Sequence, residues 1–355
     1  MSVRDEDRRS EQDLLVDVLL GLRVDRVREF MDGVGLPRSG TKADLRSRAD
    51  DALTSGAVSI DELIDYLDRV EPWGRQHVIV LEADPSLADG WRRQDGVRRR
   101  LASAGLDALL DRRRRQRLPE ELALSSIVIN DGSIEIVAIE RRDYEERAPE
   151  SDRLEHEDDG QLLTFKAYRH VVTRGIVALR WNTATRAAAL HISEGFGRYD
   201  YGDAADRFGA MVSGFLDFDR FAAKDIRRAI RRLHEAEESG KPEARSHRVG
   251  YTSHGGRAVE ATSPTPNTSV VGEQVVDDAL ANVAGSATGR IGNFFWLPRT
   301  GPVPTSSPIA RDLHVVILGR DARVHFMVPS DEQSITYVLH RIRALSLDPP
   351  FGGGG

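Results

Sequence analysis

The residues best placed to do chemistry gather in one short stretch, Arg38-Ser39-Gly40-Thr41-Lys42, with Arg46 four positions beyond the lysine. Ser39 or Thr41 can cap a helix starting here, because a side-chain oxygen accepts from amides that the first helical turn leaves unpaired. A helix N-terminus also presents free N–H groups and a partial positive charge. Hydroxyls at Ser39 and Thr41, close approach at Gly40, and the charges of Arg38 and Lys42 complete a site of the kind that holds a phosphate. Lys42 and Arg46 lie one turn apart, on the helix face away from Leu45 and Ala49. The chain has only three other lysines, Lys166, Lys224 and Lys241, and arginine supplies the rest of its positive charge.

Two short helices must position that turn. Val24, Val27 and Phe30 recur at three-residue spacing and form one apolar stripe. Gly35 suits the helix stop, Pro37 follows it, and Leu36 can drop between the helices. Leu45, Ala49, Ala52 and Leu53 form the facing stripe. The pattern over residues 22–53 resembles the SAP motif: Leu22 and Val24, then Val27 and Phe30, Gly35-Leu36, Ser39-Gly40-Thr41-Lys42 and Leu45. The resemblance implies a small helix–turn–helix that binds DNA, with Arg38, Ser39, Gly40, Thr41, Lys42 and Arg46 on the phosphate backbone. Such contacts position a protein without reading bases, so weak, salt-sensitive binding with little sequence preference, or a preference for AT, is expected. Asp25, Glu29, Asp32, Asp44, Asp50 and Asp51 dilute the charge and leave open a hairpin of this shape that contacts protein instead.

Further along, Arg98, Arg99 and Arg100 with Arg112, Arg113, Arg114 and Arg115 form the most basic stretch of the chain. They either extend the DNA footprint or make a solvated helix face paired with neighbouring carboxylates. No catalytic constellation emerges. Glu135, Glu140, Asp143 and Lys166 lack the Asp…Glu-x-Lys order of restriction-type nucleases, and the histidines show no metal-ligand spacing. The glycines of residues 285–292 lack the Gly-Lys-Ser/Thr of a phosphate loop. Neither cofactor nor metal is expected, and the reading leans away from an enzyme.

Composition bounds the rest. With 355 residues and 40% hydrophobic content, two to three compact units are expected. The absence of cysteine excludes disulfides and thiol nucleophiles. The net charge of −7 argues against a surface that coats nucleic acid throughout. No apolar run is long enough to span a membrane and no secretory signal is visible, so a cytoplasmic, bacterial setting, with the nucleoid as one location within it, is the expectation. The fold class expected is α+β: a SAP-like helical module at 13–56, a helical region at 57–122, and a mixed or antiparallel sheet domain with packed helices at 123–345. Residues 1–12 and 346–355 read as disordered, and 141–161 as an acidic loop. The function expected is a DNA-associated protein whose α+β domain binds a partner or self-associates. A nucleic-acid-processing enzyme of defence or repair, or an interaction scaffold that leaves DNA alone, are the alternatives.

Overall fold

The computed structural model describes residues 3–111, 118–156, 162–195, 199–284, 287–298 and 308–347. Four helices come first: α1 (Val3–Gly21), α2 (Val24–Gly33), α3 (Lys42–Ser55) and α4 (Ile60–Val70). Their shared core joins Leu15 and Leu19 of α1, Val27, Phe30 and Met31 of α2, Leu45 and Ala49 of α3, and Leu63 and Leu67 of α4. The α3 stripe and Val27 and Phe30 of α2 therefore face each other, whereas Val24, expected in the α2 stripe, opens the helix and is exposed, and Met31 takes the buried place instead. α1 starts at Val3, inside the stretch expected to be irregular. Arg, Glu and Gln are good helix formers, so they extend a helix that the buried Leu15–Leu19 face anchors.

Residues 57–122 are not only helical. After α4 and a 3₁₀ turn (Glu71–Trp73) comes strand β1 (Gln76–Ala83), followed by α5 (Pro85–Trp91) and α6 (Gln94–Ser103). The remaining elements are β2 (Ala123–Asn130), β3 (Ser133–Arg147), β4 (Arg153–His156), β5 (Leu162–Phe165), β6 (Tyr168–Asn182), β7 (Ala187–Ser193), α7 (Tyr201–Val212), β8 (Phe221–Ala223), α8 (Arg227–Glu238), β9 (Ala244–Ser253), β10 (Ala258–Thr262), α9 (Gln274–Ala284), β11 (Ala287–Trp296), β12 (Leu313–Leu318), β13 (Arg323–Phe326) and α10 (Glu332–Ser346). The chain is α+β. Among the described residues the strands form an eleven-stranded sheet in the order β10-β9-β11-β12-β13-β1-β7-β6-β3-β2, with β8 also on β1. Its strand pairs are antiparallel.

β1 lies at the centre of this sheet and is buried on both faces. On one face Val78 and Val80 meet Ile230 and Leu233 of α8 and Ile335, Val338 and Ile342 of α10. On the other, Leu81 and Ala83 meet Trp91 of α5, Leu101 of α6 and Phe208 and Val212 of α7. The hairpin β6–β7 with α7 and the hairpin β12–β13 with α10 therefore flank β1 on opposite edges and cover opposite faces. A half-turn about the β1 direction relates them.

Of the segment expected to be an acidic loop, 141–161, residues 141–147 and 153–156 are strand, a 3₁₀ turn joins them, and 157–161 lie outside the described residues. β3 runs on to Arg147 and pairs with β6 from Glu140↔Gly175 out to Arg147↔Tyr168, beyond the edges of β2 and β7. At roughly 3.3 Å per residue this two-stranded ribbon projects about 25 Å. Its alternating charged residues pair across the strands, as Arg169 does with Glu146 at 2.7 Å, so a charged sequence remains regular. At its far end Arg147 binds both the Asp152 carboxylate and the Ala167 carbonyl and turns the chain into the β4–β5 hairpin.

The helical unit joins the sheet through a buried ion pair. Arg174 Nε lies 2.7 Å from Glu71 Oε1, a second guanidinium nitrogen reaches the other oxygen, and both side chains are almost wholly covered. Next to it Trp73 stacks on the Arg180 guanidinium at 3.8 Å, and Gln76 Oε1 meets His191 Nδ1 at 2.7 Å. Removing one partner strands a buried charge. Glu71→Gln is expected to lower unfolding free energy by about 3 kcal/mol in urea titrations, against under about 1 kcal/mol for exposed Arg169→Gln.

Candidate functional site

The turn between α2 and α3 is where the sequence places a phosphate site. Thr41 does cap α3, and it does so in a closed pair. Thr41 Oγ1 accepts from Asp44 N, while Asp44 Oδ2 accepts from Thr41 N and Thr41 Oγ1, each at 2.8 Å. These bonds hold the Asp44 carboxyl below its ordinary value. The capping pair therefore takes the Thr41 and Asp44 amides at the start of α3 with the chain's own oxygens. Gly40 is needed for that arrangement: its φ is +112°, and a Cβ there would lie 2.8 Å from Asp44 Oδ2.

The cations around the turn divide into two groups. Arg46 is neutralised, with Asp17 at 2.5 Å and Asp50 at 3.6 Å. Lys42 Nζ donates to the Leu20 carbonyl at 2.8 Å and so clips α3 to the end of α1. Arg28 donates to the Gly40 carbonyl at 3.3 Å, and Arg48 to the carbonyls of Pro37 (2.9 Å) and Ser39. Arg38 is exposed and its side chain has no hydrogen bond or ion pair among the described residues; Ser39 is exposed beside it. Three arginines thus surround residues 37–40, and the two that are bonded use neutral carbonyls, so their charge is not cancelled by those bonds. Sequence reasoning omitted Arg28 and Arg48. Helical side chains lean toward the N-terminus, and Arg48 at the seventh position of α3 reaches back to the turn for that reason.

The second basic stretch lies elsewhere. Residues 112–115 are outside the described residues. Arg98 is a clamp, binding the Asp111 carboxylate and the Ile129 carbonyl. Arg99 is exposed and Arg100 sits 5.6 Å over the Trp91 ring. α6 covers the α5–α7 face of the sheet, whereas Glu71 and Trp73 hold the helical unit on the opposite face. The sheet therefore separates Arg98–Arg100 from Arg38, and they do not form one footprint. The carboxylates weighed for nuclease chemistry are likewise dispersed: Glu135 pairs with Arg180 and Asp143 with Arg141.

A polar cluster that the sequence did not reveal lies where β1, β7 and β13 meet. His77 is sandwiched between Tyr201 at 3.6 Å and His325 at 3.8 Å. Burial, then the charges of His325 and Arg323, push His77 down to about 3, so it stays neutral. His325 Nε2 is 3.6 Å from Glu194, whose other oxygen is 3.3 Å from Arg75. Contact with His325 holds Glu194 below its ordinary value, burial opposes this, and the Arg75 charge adds to it. Alongside, Arg142 spans the Glu140 carboxylate (2.8 Å), the Ser193 carbonyl (2.7 Å) and Tyr199 Oη (2.9 Å). It crosses Gly175, where a Cβ would collide with the guanidinium. Arg207 closes the set at 2.6 Å from Glu140. The cluster brings an imidazole within 3.6 Å of a carboxylate that an arginine also approaches, a set of groups of the kind that moves protons beside an anion. A cleft of about 830 Å³ at the other end of β1 is also charged, but Glu82–Lys224 and Asp84–Arg220 pair across it.

No protein-family model matches the chain, and no curated protein is similar to it. Among the described residues no helix is long and apolar enough to cross a membrane.

Glu140 supplies a pH test. Burial raises its carboxyl, but hydrogen bonds from Arg207 and Tyr199 and the Arg142 charge outweigh burial and hold it below the ordinary 4.5. A depressed carboxyl stabilises the fold fully above its unfolded value, and the gain disappears as pH falls through the folded one. Glu140→Gln should therefore be less stable than wild type at about pH 7, and its stability should fall less than the wild type's between about pH 5 and pH 3. Parallel acid curves would exclude Glu140 as a source of the acid sensitivity.

Proposed function

We propose that the chain is a DNA-associated protein of the cytoplasm whose SAP-like helical unit holds the phosphate backbone through the turn at residues 37–40. The observation that carries this is the convergence of Arg28, Arg38 and Arg48 on one exposed turn, with Arg38 unpartnered among the described residues and the other two bonded to carbonyls. With the Thr41 and Asp44 amides taken within the capping pair, the guanidinium groups are the main contacts, and Lys42 and Arg46 act mainly within the module. Binding is sequence-tolerant, since guanidinium–phosphate contacts read no base edges. In a low-salt mobility shift on duplex DNA, Arg28→Glu with Arg38→Glu should weaken binding at least tenfold, while Arg46→Gln changes it less. Three phosphate contacts imply a log–log salt slope of roughly −2.7. Equal affinity for wild type and the double variant would overturn the reading.

A second reading, cleavage of a phosphodiester by acid–base chemistry, is favoured by Glu194, His325 and Arg75 meeting at one edge. Incubation with plasmid and with single-stranded RNA tests it. Slow cleavage that His325→Ala abolishes would support the reading, and intact substrates would remove it.

A further inference from the structure

The ribbon ends in a two-stranded sheet in which β4 has one edge without a partner strand among the described residues. Among the described residues β4 pairs with β5 alone, from Arg153↔Phe165 to His156↔Leu162, as a two-stranded sheet separate from the main one. Residues 151–155 are exposed, and Leu154 is 66% exposed. Arg153 and Glu155 flank Leu154, and neither has an ion pair among the described residues. Leu162, on the same face as Leu154, is 53% exposed. A lone two-stranded hairpin is marginal in water, and its free edge is a template for another strand.

The order of residues on that edge is complementary to itself. Setting the strand antiparallel to a copy with Leu154 on the axis puts Leu154 against Leu154 and each Arg153 against the other copy's Glu155. Moving the axis to Arg153 or Glu155 opposes like charges, and moving it between Leu154 and Glu155 sets an apolar side chain against a carboxylate. We propose that β4 pairs antiparallel with β4 of a second copy of this chain, giving a four-stranded β5-β4-β4-β5 sheet with Leu154 on the two-fold axis. The interface is isologous, so assembly closes at two copies rather than growing into a fibre. Leu154 and Leu162 of both copies then form one continuous apolar seam, and the pairing is independent of what the helical unit binds.

The full chain contains no cysteine, so one introduced thiol reports on the axis. Residues directly opposed in an antiparallel pair have Cα atoms about 4.5–5.5 Å apart, within disulfide reach. Leu154→Cys should give a disulfide-linked dimer on mild oxidation, and Thr164→Cys on β5 should not. In light scattering at tens of micromolar, wild type should have twice the chain mass. Glu155→Arg should halve it, and Arg153→Glu with Glu155→Arg should restore it, each variant keeping the wild-type circular dichroism. A monomeric wild type, a dimer indifferent to Glu155→Arg, or equal cross-linking at residues 154 and 164 would overturn the proposal.

Discussion

Two buried arginines fix the point where the β3–β6 ribbon leaves the sheet. Arg142 on β3 is turned toward the α5–α7 face and bound to Glu140, the Ser193 carbonyl and Tyr199. Arg174 on the neighbouring strand is turned to the opposite face and bound to Glu71 of the helical unit. A guanidinium cannot be deprotonated at any ordinary pH, so each must keep a carboxylate as it enters the core. That demand ties the loop after β7 to one face of the ribbon base and the helical unit to the other. Ribbon, helical unit and polar cluster are thereby held in one frame, although each looks separable in sequence.

The helical unit departs from a simple anion trap at its most suggestive residue. Asp44 accepts from the Thr41 amide and needs Gly40 to do so, and Arg28 and Arg48 hold the carbonyl side of the same turn. The turn is thus preorganised by its own groups before any ligand arrives, and Arg38 projects without a side-chain partner among the described residues. A net-acidic chain can still carry such a local site, because screening at physiological salt limits distant carboxylates to a Debye length of about 8 Å.

Legibility in the sequence followed periodicity. The α3 stripe and most of the α2 stripe repeat over more than one helical turn and lie in the core, and the α+β class of the chain is as expected. β1 was missed because Val78-Ile79-Val80-Leu81 is apolar on both faces and has neither a period of two nor one of 3.6. The ribbon was missed because its strands face water on much of their surface and read as a polar loop. The His77, Glu194 and His325 cluster joins residues from three strands distant in sequence, a juxtaposition that only the antiparallel registers of β7 and β13 on β1 create. Of the expected phosphate contacts, Arg38 and Ser39 are exposed as read. Thr41, Lys42 and Arg46 are engaged within the module, because partners on α1 and within α3 lie closer than solvent.

The half-turn relating the two hairpin–helix units is broken by the helical unit. It covers the outer face of the β6 half, where Val137, Ile139, Ile176 and Ala178 are buried. The corresponding face of the β11–β13 half carries Asn293, Phe295, His314, Val316 and His325, all only half-buried, with Phe295 and His314 stacked on each other at 4.4 Å. One half of the sheet is thus three layers thick and the other two. Backbone amides in the thinner half sit one side chain from water, so breathing motions open there first while the thicker half keeps its protons, and a single continuous sheet behaves as two regions of different permeability to solvent.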